Sequence, residues 1–321
     1  MEWTKIFLPI ASSFAITFAA MPLFIGYFQM KKQGQSIREE GPTWHNSKAG
    51  TPTMGGFVFL VSAFVTAIWV GAWSKELTPS LFILLFILFL YGALGFLDDF
   101  IKIFRKRNMG LNSLQKLIGQ ILGAVVFYFV YRSEQFPDSL NFFGVVEIPM
   151  GILYSLFVIF WLVGFSNAVN LTDGIDGLVS GLGTISFATY AIIAWKQQQY
   201  DVFIVCLSII GGLIGFFPYN RKPAKIFMGD VGSLALGGLL AAISILLRQE
   251  WTLLLVGLVY VIETASVMLQ VASFKLTGKR LFKMSPIHHH FEMSGWTEWK
   301  IDGIFWLVAL LCSALTLWIL Y

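Results

Sequence analysis

Residues 151–177, GILYSLFVIFWLVGFSNAVNLTDGIDG, join an apolar run of bilayer length to a cluster of carboxylates and amides. Spanning a hydrocarbon core takes roughly 20 apolar residues in a helix, and the run over 151–168 reads as such a span. Directly behind it Asn167, Asn170, Asp173 and Asp176 recur every third residue. At helical spacing they form one polar stripe on one face. Ionisable groups at a membrane edge are costly and are usually tied to function. A hard cation such as Mg²⁺ suits these groups, because it takes oxygen ligands and commonly holds phosphates too. The alternative is an ordinary Asx turn between two spans, which Asn167 and Asn170 on the same stripe argue against.

The same apolar texture fills the rest of the chain. Of 321 residues 57% are hydrophobic and 12% charged, with a mean hydropathy of +0.74; soluble chains carry about 25% charged residues. Ten runs qualify as spans: 4–28, 53–72, 80–97, 112–131, 151–168, 177–195, 202–217, 232–248, 251–274 and 301–320. The expectation is an all-α integral membrane protein, a single polytopic domain over 1–321. Glycines at 55–56, 181, 211–212 and 237–238 favour close helix packing and allow a homodimer. Cys206 and Cys312 lie inside apolar runs and read as core residues, not a disulfide framework. The opening Met-Glu-Trp-Thr-Lys lacks a basic leader segment, so the first run reads as a retained helix. No basic block with interleaved aromatics points to nucleic acid.

Charge divides the connections into two sets. Segments 30–52, 98–116, 169–176, 218–231 and 275–300 hold 17 of the 22 Lys and Arg residues. The positive-inside rule places that side in the cytoplasm, and ten spans then put both termini outside. Segment 132–150 becomes the sizeable external connection, where 141–148 could form a short hairpin. The acids and histidines fall on the cytoplasmic side, although orientation was assigned from Lys and Arg alone. A transporter would carry polar groups near mid-membrane. Here the span centres are nearly uncharged, Glu263 being the main exception, which favours an enzyme at the inner interface.

Four further stretches carry chemistry. Asp98 and Asp99 close the third run, with Lys102 four residues beyond Asp98 on the same helix face and Lys116 opening the next span. They read either as a solvated helix end or as a metal-binding or proton-abstracting pair, with Lys116 a point charge for phosphate. Asp230 follows a segment that Pro218 and Pro223 keep from being one continuous helix; it is a metal-type acid or an N-cap. In that segment Asn220 could read a base edge, and Phe227 could stack on a planar ring or simply pack at the interface. His288, His289 and His290, in the His-rich cytoplasmic loop 275–300 near Lys279, Arg280 and Lys283, suit a phosphate-positioning loop better than a zinc site. Lys48 with Thr51-Pro-Thr-Met-Gly-Gly56 suits contacts to phosphate or sugar. Three acidic sites and several cations on one membrane face fit Mg²⁺ and phosphates, hence phosphoryl transfer between a water-soluble and a lipid substrate.

Over essentially its whole length the chain resembles the polyprenyl-phosphate N-acetylhexosamine-1-phosphate transferases. The resemblance rests on Leu97-Asp-Asp-Phe-Ile-Lys102, the 167–177 stretch, Pro218-Tyr-Asn through Phe227-Met-Gly-Asp230, and Pro286-Ile-His-His-His-Phe-Glu292. The triple histidine and Thr51-Pro-Thr-Met-Gly-Gly56 point to the branch that transfers phospho-N-acetylmuramoyl-pentapeptide. The resemblance implies attack of undecaprenyl phosphate on UDP-N-acetylmuramoyl-pentapeptide, giving lipid I and UMP for peptidoglycan, with Mg²⁺ as cofactor. It implies Asp230 as metal ligand, Asp98 and Asp99 near the lipid phosphate, and Asp173 and Asp176 shaping the nucleotide and metal site. Lys48, Gly174, Ile175, Asp176, Asn220 and Phe227 match uridine-pocket positions, with Asn167, Asn170 and Gln270 further substrate-site candidates. Lys102, Lys116 and His288 to His290 match the phosphate side. The competing readings are a sister N-acetylglucosamine-1-phosphate transferase and a transporter using acids as cation sites.

Overall fold

The computed structural model describes residues 2–31, 50–105, 110–142 and 145–321. Along the chain come α1 (Glu2–Met30), α2 (Gly56–Ser74), α3 (Pro79–Arg105), α4 (Ser113–Ser133), β1 (Ser139–Phe142), β2 (Val146–Pro149), α5 (Leu153–Thr172), α6 (Leu178–Lys196), α7 (Tyr200–Asn220), α8 (Gly229–Leu246), α9 (Thr252–Val256), α10 (Leu258–Thr277), α11 (Ile287–Glu292) and α12 (Glu298–Leu320). Among the described residues ten of these helices are long and apolar enough to cross a membrane. The all-α, ten-span expectation therefore holds. Large apolar side chains such as Phe7, Leu23, Phe89, Phe129, Phe160 and Trp318 are exposed on the bundle, as a lipid-facing surface requires.

The centre of the bundle is α8, where every residue from Val231 to Leu246 is buried. Its flanks pack on α3 and α5. Between apolar helices in lipid there is little hydrophobic drive, so van der Waals packing and small residues bring backbones together. A Cβ at Gly95 would collide with the Asp230 carbonyl, and one at Gly237 with the Phe165 carbonyl. The first contact has a direct consequence: Gly95 sits less than one turn before Asp98, so the α3–α8 crossing that it permits sets Asp98 and Asp99 beside Asp230. On the next helix a capping box fixes the start of α4. Asn112 Oδ1 accepts from the Gln115 N–H at 2.8 Å and Gln115 Oε1 from the Asn112 N–H at 3.0 Å, which places Lys116 in the first turn.

Several boundaries differ from the sequence reading for local reasons. Helix α3 runs past the two acids to Arg105, since nothing in Phe100–Arg105 breaks a helix, and Asp98 and Asp99 are helical residues, not a frayed end. Helix α7 passes through Pro218 and stops at Asn220; a proline in the last turn forfeits only one backbone bond. Helix α8 starts at Gly229, with Met228 at its N-cap, so Asp230 lies in the first turn and is not the cap. The ninth run is interrupted at Gly257, between α9 and α10.

At the end away from the acids, β1 and β2 pair antiparallel with Ser139 opposite Pro149 and Phe142 opposite Val146. Arg248, just beyond α8, ties this hairpin down through its guanidinium to Glu147 at 2.6 Å and Ser139 Oγ at 3.0 Å.

Candidate active site

Four helices deliver one charged centre. From α3 come Asp98, Asp99 and Lys102, from α4 Lys116, from α8 Asp230 and from α5 Asn170. One carboxylate oxygen of each of Asp98, Asp99 and Asp230 lies within 4.8 Å of the others. Asp230 Oδ2 accepts from Lys116 at 2.7 Å and from Lys102 at 3.2 Å, while its Oδ1 accepts from the Asn170 amide at 3.0 Å. Asp98 pairs with Lys102, receives Lys116 at 3.1 Å, and accepts from the Leu111 N–H at 2.7 Å. Asp99 accepts from the Val231 N–H at 3.3 Å, one of the donors that the first turn of α8 leaves without an intrahelical partner. Three carboxyl groups thus share two ammonium groups. The donors are all oxygens and suit a hard cation; among the described residues this is a group able to hold a metal ion.

The predicted polar stripe divides at the end of α5. Asn167 turns away from the acids, donating to Gln120 Oε1 at 3.0 Å and the Val163 carbonyl at 2.8 Å. Asn170 faces Asp230 and also donates to Ser233 Oγ at 2.9 Å. The helix stops at Thr172, and Asp173 adopts a non-helical backbone, because Gly174 and Gly177 favour a turn. Burial, and then the negative charges of Asp230 and Asp176, push the Asp173 carboxyl up to about 8. Asp176 points to the other side, where its Oδ2 accepts from the Ala224 N–H at 3.0 Å. Ile175 is buried.

Two of the singled-out stretches join through backbone. The Phe227 N–H donates to the Pro52 carbonyl, the Gly55 N–H to the Phe227 carbonyl and the Gly56 N–H to the Met228 carbonyl, each at 2.9 Å. Gly229, at φ +76°, then turns the chain into Asp230. Phe227 is half-buried on this seam. Asn220 is engaged within the fold, accepting from Ser180 Oγ at 2.7 Å and donating to the Ile226 carbonyl at 3.2 Å. Lys48 lies outside the described residues.

Part of the His-rich loop is the short helix α11. His289 Nδ1 lies 2.6 Å from Glu292 Oε2, and His290 Nδ1 accepts from the Lys283 N–H at 3.2 Å. His288 is wholly buried and abuts Gly174, where a Cβ would collide with Nε2. Gln270 fastens the loop to α10: its Oε1 accepts from the N–H groups of Leu281 and Phe282 at 2.9 and 2.8 Å, and its Nε2 donates to the Phe282 carbonyl at 3.1 Å. Sequence reasoning missed Glu298, whose Oε2 accepts from the Asp176 N–H at 3.2 Å and whose Oε1 pairs with Lys222 at 2.7 Å. In sequence it is only an acid in the first turn after the Thr297 cap, where any exposed glutamate would serve the helix dipole.

Residues 81–248 match the model of glycosyl transferase family 4, and residues 48–60 match phospho-N-acetylmuramoyl-pentapeptide-transferase signature 1. The chain is 77% identical over 321 residues to the phospho-N-acetylmuramoyl-pentapeptide-transferase of Enterococcus faecalis, covering all of both chains. It is 76% identical to that of Enterococcus hirae, again with full coverage. To that of Latilactobacillus sakei it is 65% identical, over 96% of this chain and 97% of the relative. The chain belongs to the phospho-N-acetylmuramoyl-pentapeptide-transferase family. As a family member with ten spans it is a multi-pass bacterial membrane protein and a phospho-sugar transferase. The family signature at 48–60 covers the stretch whose backbone pairs with Phe227 and Met228 beside Asp230.

Proposed function

We propose that this transferase moves phospho-N-acetylmuramoyl-pentapeptide from its UDP carrier to undecaprenyl phosphate, releasing UMP and leaving lipid I in the membrane for peptidoglycan synthesis. The observation that carries the reading is the convergence of Asp98, Asp99, Asp230, Lys102 and Lys116 at the end of three apolar helices, in a chain whose relatives bear that activity in their name. On this reading the end is cytoplasmic and both termini are outside, which the distribution of basic connections supports.

The two ammonium groups sit where two phosphate anions would have to meet. Lys102 and Lys116 now bind carboxylates; with substrates present they can turn to phosphoryl oxygens without leaving the centre. Asp230 is the metal ligand, with Asp98 and Asp99 alongside, and Asn170 fixes the Asp230 rotamer through Oδ1. Mg²⁺ bound there would neutralise charge on the phosphoryl oxygens. A lipid phosphate is largely ionised near neutral pH, so Asp98 has little proton to remove and the work is positioning and charge compensation. We therefore favour direct attack over a phospho-aspartate route. Isolating a kinetically competent phospho-aspartate without lipid acceptor would overturn that preference. The turn holding Gly174, Ile175 and Asp176, with Phe227, Asn220 and Gln270, forms the uridine side, and His288 to His290 face the diphosphate; Lys48, outside the described residues, is assigned to the uridine side by the resemblance alone.

The test supplies purified protein in detergent with UDP-N-acetylmuramoyl-pentapeptide, undecaprenyl phosphate and Mg²⁺, and counts UMP and lipid product. Metal-dependent product, lost in Asp230→Ala and Asp98→Asn, supports the reading. Turnover of UDP-N-acetylglucosamine alone would move the chain to the sister branch.

A further inference from the structure

Glu263 lies inside the membrane-spanning helix α10 and is wholly buried. A carboxylate at that depth is expensive, and among the described residues neither of its oxygens has a hydrogen-bond partner. His288 faces it, with Nδ1 3.1 Å from Glu263 Oε2, an ion-pair distance without hydrogen-bond geometry. His288 is equally buried. Neither of its nitrogens has a hydrogen-bond partner among the described residues, and Nε2 lies against Gly174, between α5 and Asp176. A carboxylate at ion-pair distance from Nδ1 favours a proton there and a ring orientation that presents Nε2 to whatever stands opposite. His289 is held at Nδ1 in the same sense, but by Glu292 of its own short helix, three residues away. Glu263 instead reaches from a different helix and so couples the histidine helix α11 to α10.

We propose that Glu263 is a positioning residue for transfer: it orients His288 so that Nε2 is directed at the Asp173–Asp176 turn, where the diphosphate of the nucleotide sugar is bound. This rests on the function proposed above. Glu263 itself touches no substrate; its contribution passes through His288. Gly174 belongs to the same device, because any side chain there would occupy the space in front of Nε2.

The experiment is a double-mutant cycle on full-length protein, measuring kcat, KM for the nucleotide sugar and thermal unfolding for wild type, Glu263→Gln, His288→Ala and the double variant. Glu263→Gln keeps the shape and removes the charge. Its kcat should fall by about 10- to 100-fold, the usual effect of losing such an outer partner, with KM changed little. The double variant should be no slower than His288→Ala. Losses that multiply in the double variant, or an unchanged kcat in a thermally weakened Glu263→Gln, would overturn the proposal. Should Glu263→Gln fail to fold, Glu263→Asp retains the charge but withdraws it from Nδ1. A lowered kcat at wild-type KM supports the proposal and a wild-type kcat overturns it. The cycle is run on whichever nucleotide sugar the wild type turns over, so a wrong muramoyl assignment shows in the wild type alone.

Discussion

Both ends of this bundle bury charge, and they do so on opposite principles. Under the hairpin, the wholly buried Glu250 accepts a hydrogen bond from the Tyr154 hydroxyl at 2.7 Å. Next to it the Tyr131 hydroxyl donates to the Pro137 carbonyl at 2.9 Å. Acids there stand singly, each with its own partner: the Tyr154 hydroxyl for Glu250, the Arg132 guanidinium for Asp138 at 2.9 Å and that of Arg248 for Glu147. At the other end three carboxylates crowd within 4.8 Å around two lysines. Packing alone has no use for such crowding, since like charges at that range repel strongly when partly desolvated. The comparison separates acids paired one by one, which hold the fold, from crowded acids that share their cations, which await ligands. It predicts that mutations at the two ends will divide activity from stability.

The largest effect is expected at the acids. Asp230→Asn should cut transfer by about 10³-fold, as loss of a principal electrostatic group does, while the unfolding temperature stays level or rises because repulsion with Asp98 and Asp99 is relieved. Activity and unfolding measured on one preparation check this. A stability loss as large as the activity loss would erase the distinction between the two ends.

The second test uses two glycines that both let backbones touch. Gly95→Ala pushes α3 off α8 at Asp230 and should reduce transfer, because it separates the acids. Gly237→Ala pushes α5 off α8 one membrane layer deeper. It should cost about 1–3 kcal/mol of stability from overpacking while the folded fraction keeps its turnover. Equal activity losses in the two would mean that bundle spacing, not the acid geometry, sets the rate.

At the hairpin end the order reverses. Glu250→Ala leaves the Tyr154 hydroxyl without its acceptor in a buried setting, a cost of about 1–3 kcal/mol. Denaturation in detergent should show that loss, with kcat unchanged. A kcat effect would reveal coupling through α8, at whose far end Asp230 sits.

The architecture and much of the acid centre were legible before any coordinates because they depend on local pattern. A bilayer-length apolar run has few alternatives, and Asp98 with Lys102 is a same-face pair by helical arithmetic. What could not be read depends on contacts between distant segments. The Asp176–Glu298–Lys222 link, the seam between residues 52–56 and 227–228, and Glu263 against His288 leave no periodic trace in sequence. The spacing of Asn167, Asn170, Asp173 and Asp176 was read as one helical face. The Gly174 and Gly177 turn instead sends Asp173 and Asp176 to different neighbours. Asn220 and Gln270 show the converse limit: their amides bind groups of the fold itself, Ser180 Oγ and the Ile226 carbonyl for Asn220 and loop backbone for Gln270.

The finest contrast is in pH dependence, where the two ends should have opposite sign. Asp173 titrates near 8, raised by burial and then by Asp230 and Asp176. Between the ordinary carboxylate range, about 4, and pH 8, the folded protein holds a proton that the unfolded chain has released. Stability carried by that proton is therefore complete below about pH 4 and is lost as pH rises through 8. Asp173→Asn should flatten this slope in unfolding scans made with chelator. Glu147 is the reverse case, held below its ordinary value by the Ser139 hydroxyl and then by Arg248. Its contribution is present above the unfolded pKa and lost as pH falls through the folded one. Because Glu147 is largely solvent-exposed, the effect of Glu147→Gln should be the smallest of the set, confined to acid pH and weakened further by salt. Finding both slopes with the same sign would mean that the Asp173 carboxyl is not raised in solution, so that neither its burial nor the negative charge of its neighbours acts on it there.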